Sequence, residues 1–143
     1  MKILRKPTKE DISPHNTVVA IIKRGDKFLI MDHTKGDMLT FPVGKVKDGE
    51  SLEEALRREL KEELGITPTK HEQILDYKNE FEFKKGIKTQ VHLFLYDIKS
   101  YIGTIRNMEP EKCKSLSWLS KEEVLNSKRT LGDATERYLK TIK

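Results

Sequence analysis

Apolar residues fall along this chain in short blocks, and the blocks mark out most of the expected elements. Val18, Val19, Ile21 and Ile22 are β-branched and nearly contiguous, which predicts a strand over Thr17–Lys23. Arg24-Gly25-Asp26 reads as a turn, and Lys27–Asp32 as the returning strand of a hairpin. Thr34–Met38 is a polar loop. Leu39–Phe41 and Lys45–Val46 are short extended pieces, separated by Pro42 and Gly44. Gln73–Phe83 and Lys88–Ile98 read as two long strands joined at Lys84-Lys85-Gly86. In the second, Val91, Leu93 and Leu95 face one way and His92, Phe94 and Tyr96 the other. Lys99–Lys112 is expected to be a loop, and Leu116–Leu119 a short strand.

The helical period dominates Ser51–Leu64. Ser51 with Glu54 has the spacing of a capping box, good helix formers fill the interior, and Gly65 stands where a helix should stop. Ser120 with Glu123 predicts a second, short helix through Asn126. Ala134, Tyr138, Leu139 and Ile142 give a final amphipathic helix over Asp133–Ile142. Helices interleaved with hairpins predict a mixed sheet.

On the first helix Leu52, Ala55, Leu56, Glu59 and Glu63 share a face, with Glu62 at its edge. Carboxylates three and four residues apart lie close together, repel one another, and are costly to bury without a cation. Clustered hard oxygens with no His or Cys on the helix suit Mg²⁺ or Mn²⁺, and Mg²⁺ commonly takes substrate phosphates as further ligands. A plain solvated helix with Glu54–Arg58 and Arg58–Glu62 ion pairs is the competing reading of that face.

Composition narrows the setting. The 143 residues predict a single domain over 1–143, carrying a net charge of +5. Between Glu50 and Glu63, however, six acidic residues stand against three basic ones, so the basic excess lies elsewhere. A general basic background permits an anionic partner without naming one. The apolar runs are too short to span a membrane, and no secretory leader is visible. The single cysteine, Cys113, excludes an intramolecular disulfide. The cytoplasm is the expected location.

From Gly44 to Ile66 the chain reads GKVKDGESLEEALRRELKEELGI. This resembles a complete Nudix box, with Gly44, Glu50, Arg58, Glu59, Leu60, Glu62, Glu63, Gly65 and Ile66 at the constrained positions. The resemblance implies an α/β/α sandwich with a mixed sheet containing antiparallel strands. It implies a divalent-metal-dependent hydrolase of nucleoside diphosphate-X compounds, MutT-like nucleotide pyrophosphohydrolases being the nearest type. Glu59 and Glu63 would be the main ligands of Mg²⁺ or Mn²⁺. Glu62 would share a metal or act on water, and the carbonyl of Val43 would be a further ligand. Glu50 would pair with Arg58 and hold the loop to the helix.

The segment Asn107–Lys112, followed by Trp118, is similar to a MutT-like segment whose carboxylate often completes the metal site. Glu109 is the first candidate there and Glu111 the second; Trp118 is read as a packing residue. Two departures stand out. Val43-Gly44 replaces the frequent Gly-Gly pair, and Asp32-His33 ends the second strand where relatives often carry Arg.

Candidate substrate contacts are Lys45, His33 and Asp133. Lys45 has the alternative of a solvated lysine, and His33 that of a surface-loop residue. Asp133 reads as a base contact or as the N-cap of the last helix, the cap being favoured. Residues 69–86 contain no proline, so the signature of ADP-ribose pyrophosphatases is missing. The coenzyme A and dinucleoside polyphosphate signatures are not found either. A (deoxy)nucleoside triphosphate cleaved to NMP and pyrophosphate is therefore the expected substrate. Other nucleoside diphosphate-X compounds, an RNA 5′-end among them, are the alternatives, followed by a non-catalytic binding module. No membrane partner is expected, and the oligomeric state is left open.

Overall fold

The computed structural model describes residues 13–34, 36–84 and 86–143. The elements run β1 (His15–Arg24), β2 (Lys27–His33), β3 (Met38–Thr40), β4 (Val43–Lys45), α1 (Leu52–Leu64), β5 (Thr67–Lys84), β6 (Ile87–Ile102), β7 (Cys113–Ser120), α2 (Lys121–Leu125), β8 (Thr130–Leu131) and α3 (Asp133–Thr141). The expected α/β/α sandwich with a mixed sheet is present.

β1 is the hub. It lies parallel to β6 along His15–Ile22, antiparallel to β4 at Thr17–Val19, and antiparallel to β2 only at Lys23–Phe28 and Arg24–Lys27. Beyond the hairpin turn the two strands splay, and β2 continues with β3 and β7 as antiparallel partners. β8 joins β3 in parallel.

Alternation along β1 and β6 feeds two cores. Val19, Ile21, Val91, Leu93 and Leu95 pack on one side with Val124 of α2 and Ala134 and Leu139 of α3. Val18, Ala20, Ile22, Tyr96 and Ile98 pack on the other with Ala55, Leu56, Leu60 and Leu64 of α1. Leu56, Leu60 and Leu64 are 1% exposed or less. Each such side chain contributes ~1.5–3 kcal/mol of apolar burial, which anchors α1 on the sheet.

Three expectations need adjusting. β5 begins at Thr67, not Gln73, and β6 runs on to Ile102, because Thr67 and Pro68 pair with Ile102 and Tyr101. Pro68 is tolerated because β5 is an edge strand with no ladder bond to lose on its outer side. The buried stripe of α1 is Ala55, Leu56, Leu60, Glu63 and Leu64. It is rotated from the expected face: Leu60 and Leu64 enter the core, and Glu59 lies at the border. β8 is too short to leave a sequence pattern. No helix among the described residues is long and apolar enough to cross a membrane.

Candidate active site

Ser51 caps α1 as its spacing predicts, accepting from Glu54 N at 3.1 Å while Glu54 Oε1 accepts from Ser51 N at 3.0 Å. Glu54 is thereby committed, and Arg58 turns to other partners. Its Nε and Nη2 donate to Glu50 at 2.7 and 2.9 Å, its Nη1 to Glu59 at 2.8 Å and Glu62 at 3.3 Å, and its Nη2 also to the carbonyl of Lys45 at 2.9 Å. One guanidinium thus ties the 45–50 loop to the helix. The Glu50 carboxyl is pushed down to about 2 by that pairing.

α1 faces β4, whose pairing with β1 is extended by Ala20 N donating to Pro42 O and Val46 N to Asn16 O, both at 2.9 Å. This places Gly44 directly against Glu59: a Cβ there would overlap Glu59 Cδ and Cγ. Val43, Gly44, Glu59 and Glu63 line one small gap between β4 and α1. Glu63 is 5% exposed, and its Oε1 is buried with no hydrogen-bond partner. Burial, then the neighbouring Glu59, holds its carboxyl well above the usual range. Burial raises Glu59 as well, against the opposing pull of Arg58. Glu62 is half exposed and leans on Arg58.

Gly65 ends α1 at φ 72°, a left-handed conformation that suits glycine. Past β6, Arg106 N and Met108 N each donate at 3.0 Å to the carbonyls of Leu64 and Glu63. The 103–112 loop is thereby clamped to the end of the helix, and Glu109 is near enough for its charge to act on Glu63. Glu111 contributes its carbonyl to Thr34 Oγ1 at 2.9 Å.

These residues fit a hard divalent cation. The donors are all oxygens, one is buried and unpartnered, and the glycine opposite keeps Glu59 free of a side-chain clash. Among the described residues no three His, Cys, Asp or Glu side chains stand around a single point. The preformed element is the Glu59–Glu63 pair, and one or two carboxylates plus substrate phosphates is a usual Mg²⁺ arrangement.

The remaining candidates lie apart from that pair. Lys45 lines an open cleft of about 1140 Å³ together with Lys47, Lys78, His15 and His92, and with the carboxylates of Asp48 and Glu50. His33 is not a loop residue: it ends β2, half-buried, with Nε2 at 2.6 Å from Thr40 Oγ1. Asp133 is not the N-cap; Gly132 is, without a side-chain bond. Its Oδ2 instead accepts from Tyr77 Oη at 2.6 Å and Asn79 Nδ2 at 3.2 Å, and Arg137 lies 3.9 Å over the Tyr77 ring. Gly132 N donating to Leu39 O and Phe41 N donating to Thr135 Oγ1 dock the start of α3 there, both at 2.9 Å.

Tyr77 and Asn79 were not foreseen as partners of Asp133, since they reach it from β5, nor was Arg137, which meets the Tyr77 ring only once α3 is docked. Arg129 was also missed. It binds Asp32 through both terminal nitrogens at 3.2 and 2.8 Å, and Asp37 at 2.8 Å. Trp118 packs against the α1-side core, as expected, with Arg24 4.2 Å above its ring. Cys113 is buried, and its thiol is pushed up by burial.

Comparison with known proteins identifies the family. The NUDIX domain model matches residues 13–140. A CTP pyrophosphohydrolase of Escherichia coli is 33% identical over 112 residues, covering 76% of this chain and 77% of that protein. An 8-oxo-dGTP diphosphatase of Haemophilus influenzae is 42% identical over 65 residues, covering 46% of this chain and 44% of its own. In fold, a MutT NUDIX hydrolase from Burkholderia pseudomallei superposes with a TM-score of 0.76 at 23% identity, over 91% of this chain and 98% of that one. With the family model matched almost from end to end, the chain belongs to the NUDIX family, as a MutT-like pyrophosphohydrolase.

Proposed function

We propose that this enzyme hydrolyses nucleoside triphosphates to the monophosphate and pyrophosphate, with Mg²⁺ or Mn²⁺ held by Glu59 and Glu63. The observation that carries this reading is the unpartnered, buried Oε1 of Glu63 beside Glu59. The Val43 carbonyl beside the same gap, and Glu62 and Glu109 whose charges act on Glu63, are the further oxygens we assign to the cation. The chemistry a divalent ion supplies when bound is charge neutralisation on the diphosphate and activation of water.

The chain's own groups supply the rest. Arg58 and Glu50 fix the 45–50 loop so that Gly44 stays against Glu59. Water attacks phosphorus, the bridging P–O bond breaks, and pyrophosphate leaves. Glu62, half exposed and bonded by Arg58, takes the proton from water. Lys45 meets phosphate oxygens. Asp133, with one oxygen engaged by Tyr77 and Asn79, offers its other oxygen to a donor on the base. That acceptor suits an exocyclic amino group, in keeping with a relative named for CTP. His33 is engaged by Thr40 Oγ1 and is given no part in the reaction.

The test is a panel of nucleotides with Mg²⁺, scoring pyrophosphate and NMP. CTP and 8-oxo-dGTP belong on it, since relatives carry those names. Asp133→Asn should change KM between bases more than it changes kcat. No pyrophosphate from any nucleotide would defeat the reading. The three lysines of the open cleft, Lys45, Lys47 and Lys78, favour a second reading, in which the group beyond the diphosphate is itself anionic. Faster turnover of a dinucleoside polyphosphate or an RNA 5′-triphosphate than of free triphosphates would support it.

A further inference from the structure

One side chain spans the turn that carries Glu109 from its start to its end. Asn107 uses both ends of its amide: Nδ2 donates to Cys113 O at 2.7 Å, and Oδ1 accepts from Glu109 N at 3.2 Å. The orientation of the amide is fixed by its partners, because a carbonyl only accepts and a backbone N–H only donates. Glu109 O in turn accepts from Lys112 N at 2.9 Å and Cys113 N at 3.0 Å.

Both anchors of this turn are rigid. On one side, Arg106 N and Met108 N flank Asn107 and bind the last carbonyls of α1. On the other, Cys113 is fully buried and opens β7 opposite His33 of β2. The Asn107 side chain is therefore the brace between the end of the catalytic helix and the start of β7. Glu109 is the residue whose backbone that brace fixes.

We infer that Asn107 is a positioning residue that holds the backbone of Glu109, one residue past the Met108 N–Glu63 O bond, so that a further carboxylate is available to the Glu59–Glu63 pair. Asn107 itself need touch neither substrate nor cation. The neighbouring side chains cannot replace it. Met108 is half exposed over Gly65, and the Lys112 ammonium reaches Glu109 Oε2 only at 3.4 Å on the open side. The inference rests on the reading of Glu109 as part of the cation site.

The experiment measures Mn²⁺ binding by electron paramagnetic resonance on metal-free protein, together with kcat and KM, for Asn107→Ala, Glu109→Gln and the double variant. Partners that orient a ligand typically change metal affinity ~10–100-fold. Each single variant should weaken Mn²⁺ binding by about tenfold or more. The double variant should be no worse than Glu109→Gln alone. KM for the nucleotide should change less than kcat. Asn107→Asp keeps the acceptor for Glu109 N but cannot donate to Cys113 O; it should shift Mn²⁺ affinity in the same direction, and it stands in if the alanine variant does not fold. An unchanged Mn²⁺ affinity in Glu109→Gln would overturn the reading of Glu109. A weakened Glu109→Gln beside an unaffected Asn107→Ala and Asn107→Asp, or losses that multiply in the double variant, would overturn the role of Asn107.

Discussion

Gly44 and Glu59 share a space that admits no side chain on residue 44, because a Cβ there would overlap the Cγ and Cδ atoms of Glu59. Gly44→Ala should therefore displace the Glu59 carboxylate while leaving the β1–β4 ladder intact. We expect Mn²⁺ affinity and kcat to fall about tenfold or more, with circular dichroism unchanged. A Gly44→Ala enzyme of wild-type affinity would mean that Glu59 is not needed where it lies.

Glu63 is expected to weaken the metal-free fold. Its carboxyl is held above the usual range by burial and by Glu59, so the folded state binds more protons than the unfolded one. Stability in EDTA should then decline as pH rises above ~4.5, the ordinary carboxylate range. Glu63→Gln should abolish much of that decline, raise the metal-free Tm at pH 8, and lower kcat on the order of 10²–10³. Thermal melts in EDTA and in Mg²⁺ across pH give both results. A Glu63→Gln protein less stable than wild type in EDTA at pH 8 would contradict the expectation.

Glu50 runs the other way. Its folded pKa is depressed to about 2 by Arg58, so its contribution is present above the ordinary carboxylate pKa and is lost as pH falls from ~4.5 toward 2. Glu50→Gln should lower the Tm at pH 7 and flatten the acid limb of the pH–stability curve. An equal loss at pH 7 and pH 2.5 would argue that Glu50 acts by packing alone.

Arg129 and Asp32 form a two-bonded pair with less than a third of either side chain exposed. Arg129→Ala leaves Asp32 without its partner and should cost about 1–3 kcal/mol, read as a shift in denaturant midpoint. Adding Asp32→Asn should restore part of that loss, since the unpaired charge is then gone. Turnover of a saturating nucleotide should change little.

Much of this was legible locally. The capping box at Ser51, the stop at Gly65 and the carboxylate spacing of Glu59, Glu62 and Glu63 are neighbours in sequence, and their physics is complete within a few turns of helix. The alternation of β6 likewise gave both cores. What escaped notice depends on pairing across distance. The rotation of the buried face toward Leu60 and Leu64 follows from how α1 crosses β1. The contacts of Asp133 with Tyr77 and Asn79, and of Arg129 with Asp32, join residues more than fifty positions apart. Asp133 was misread as a cap because Ser, Thr, Asp and Asn before a helix usually are caps, and nothing nearby shows Gly132 taking that place.

The placement of Glu63 in the last turn of α1 bears on the cation proposed for the site. Aligned peptide dipoles leave a partial negative charge at that end of a helix, worth ~0.3–1 kcal/mol to a nearby charge. Glu63, in the last turn, therefore sits at the pole that repels it, and Gly65 N, Arg106 N and Met108 N cover that pole in part. A cation is favoured by the backbone and the side chains together. Because that attraction scales with ionic charge, the end of the helix would add more to holding a doubly charged cation than a singly charged one.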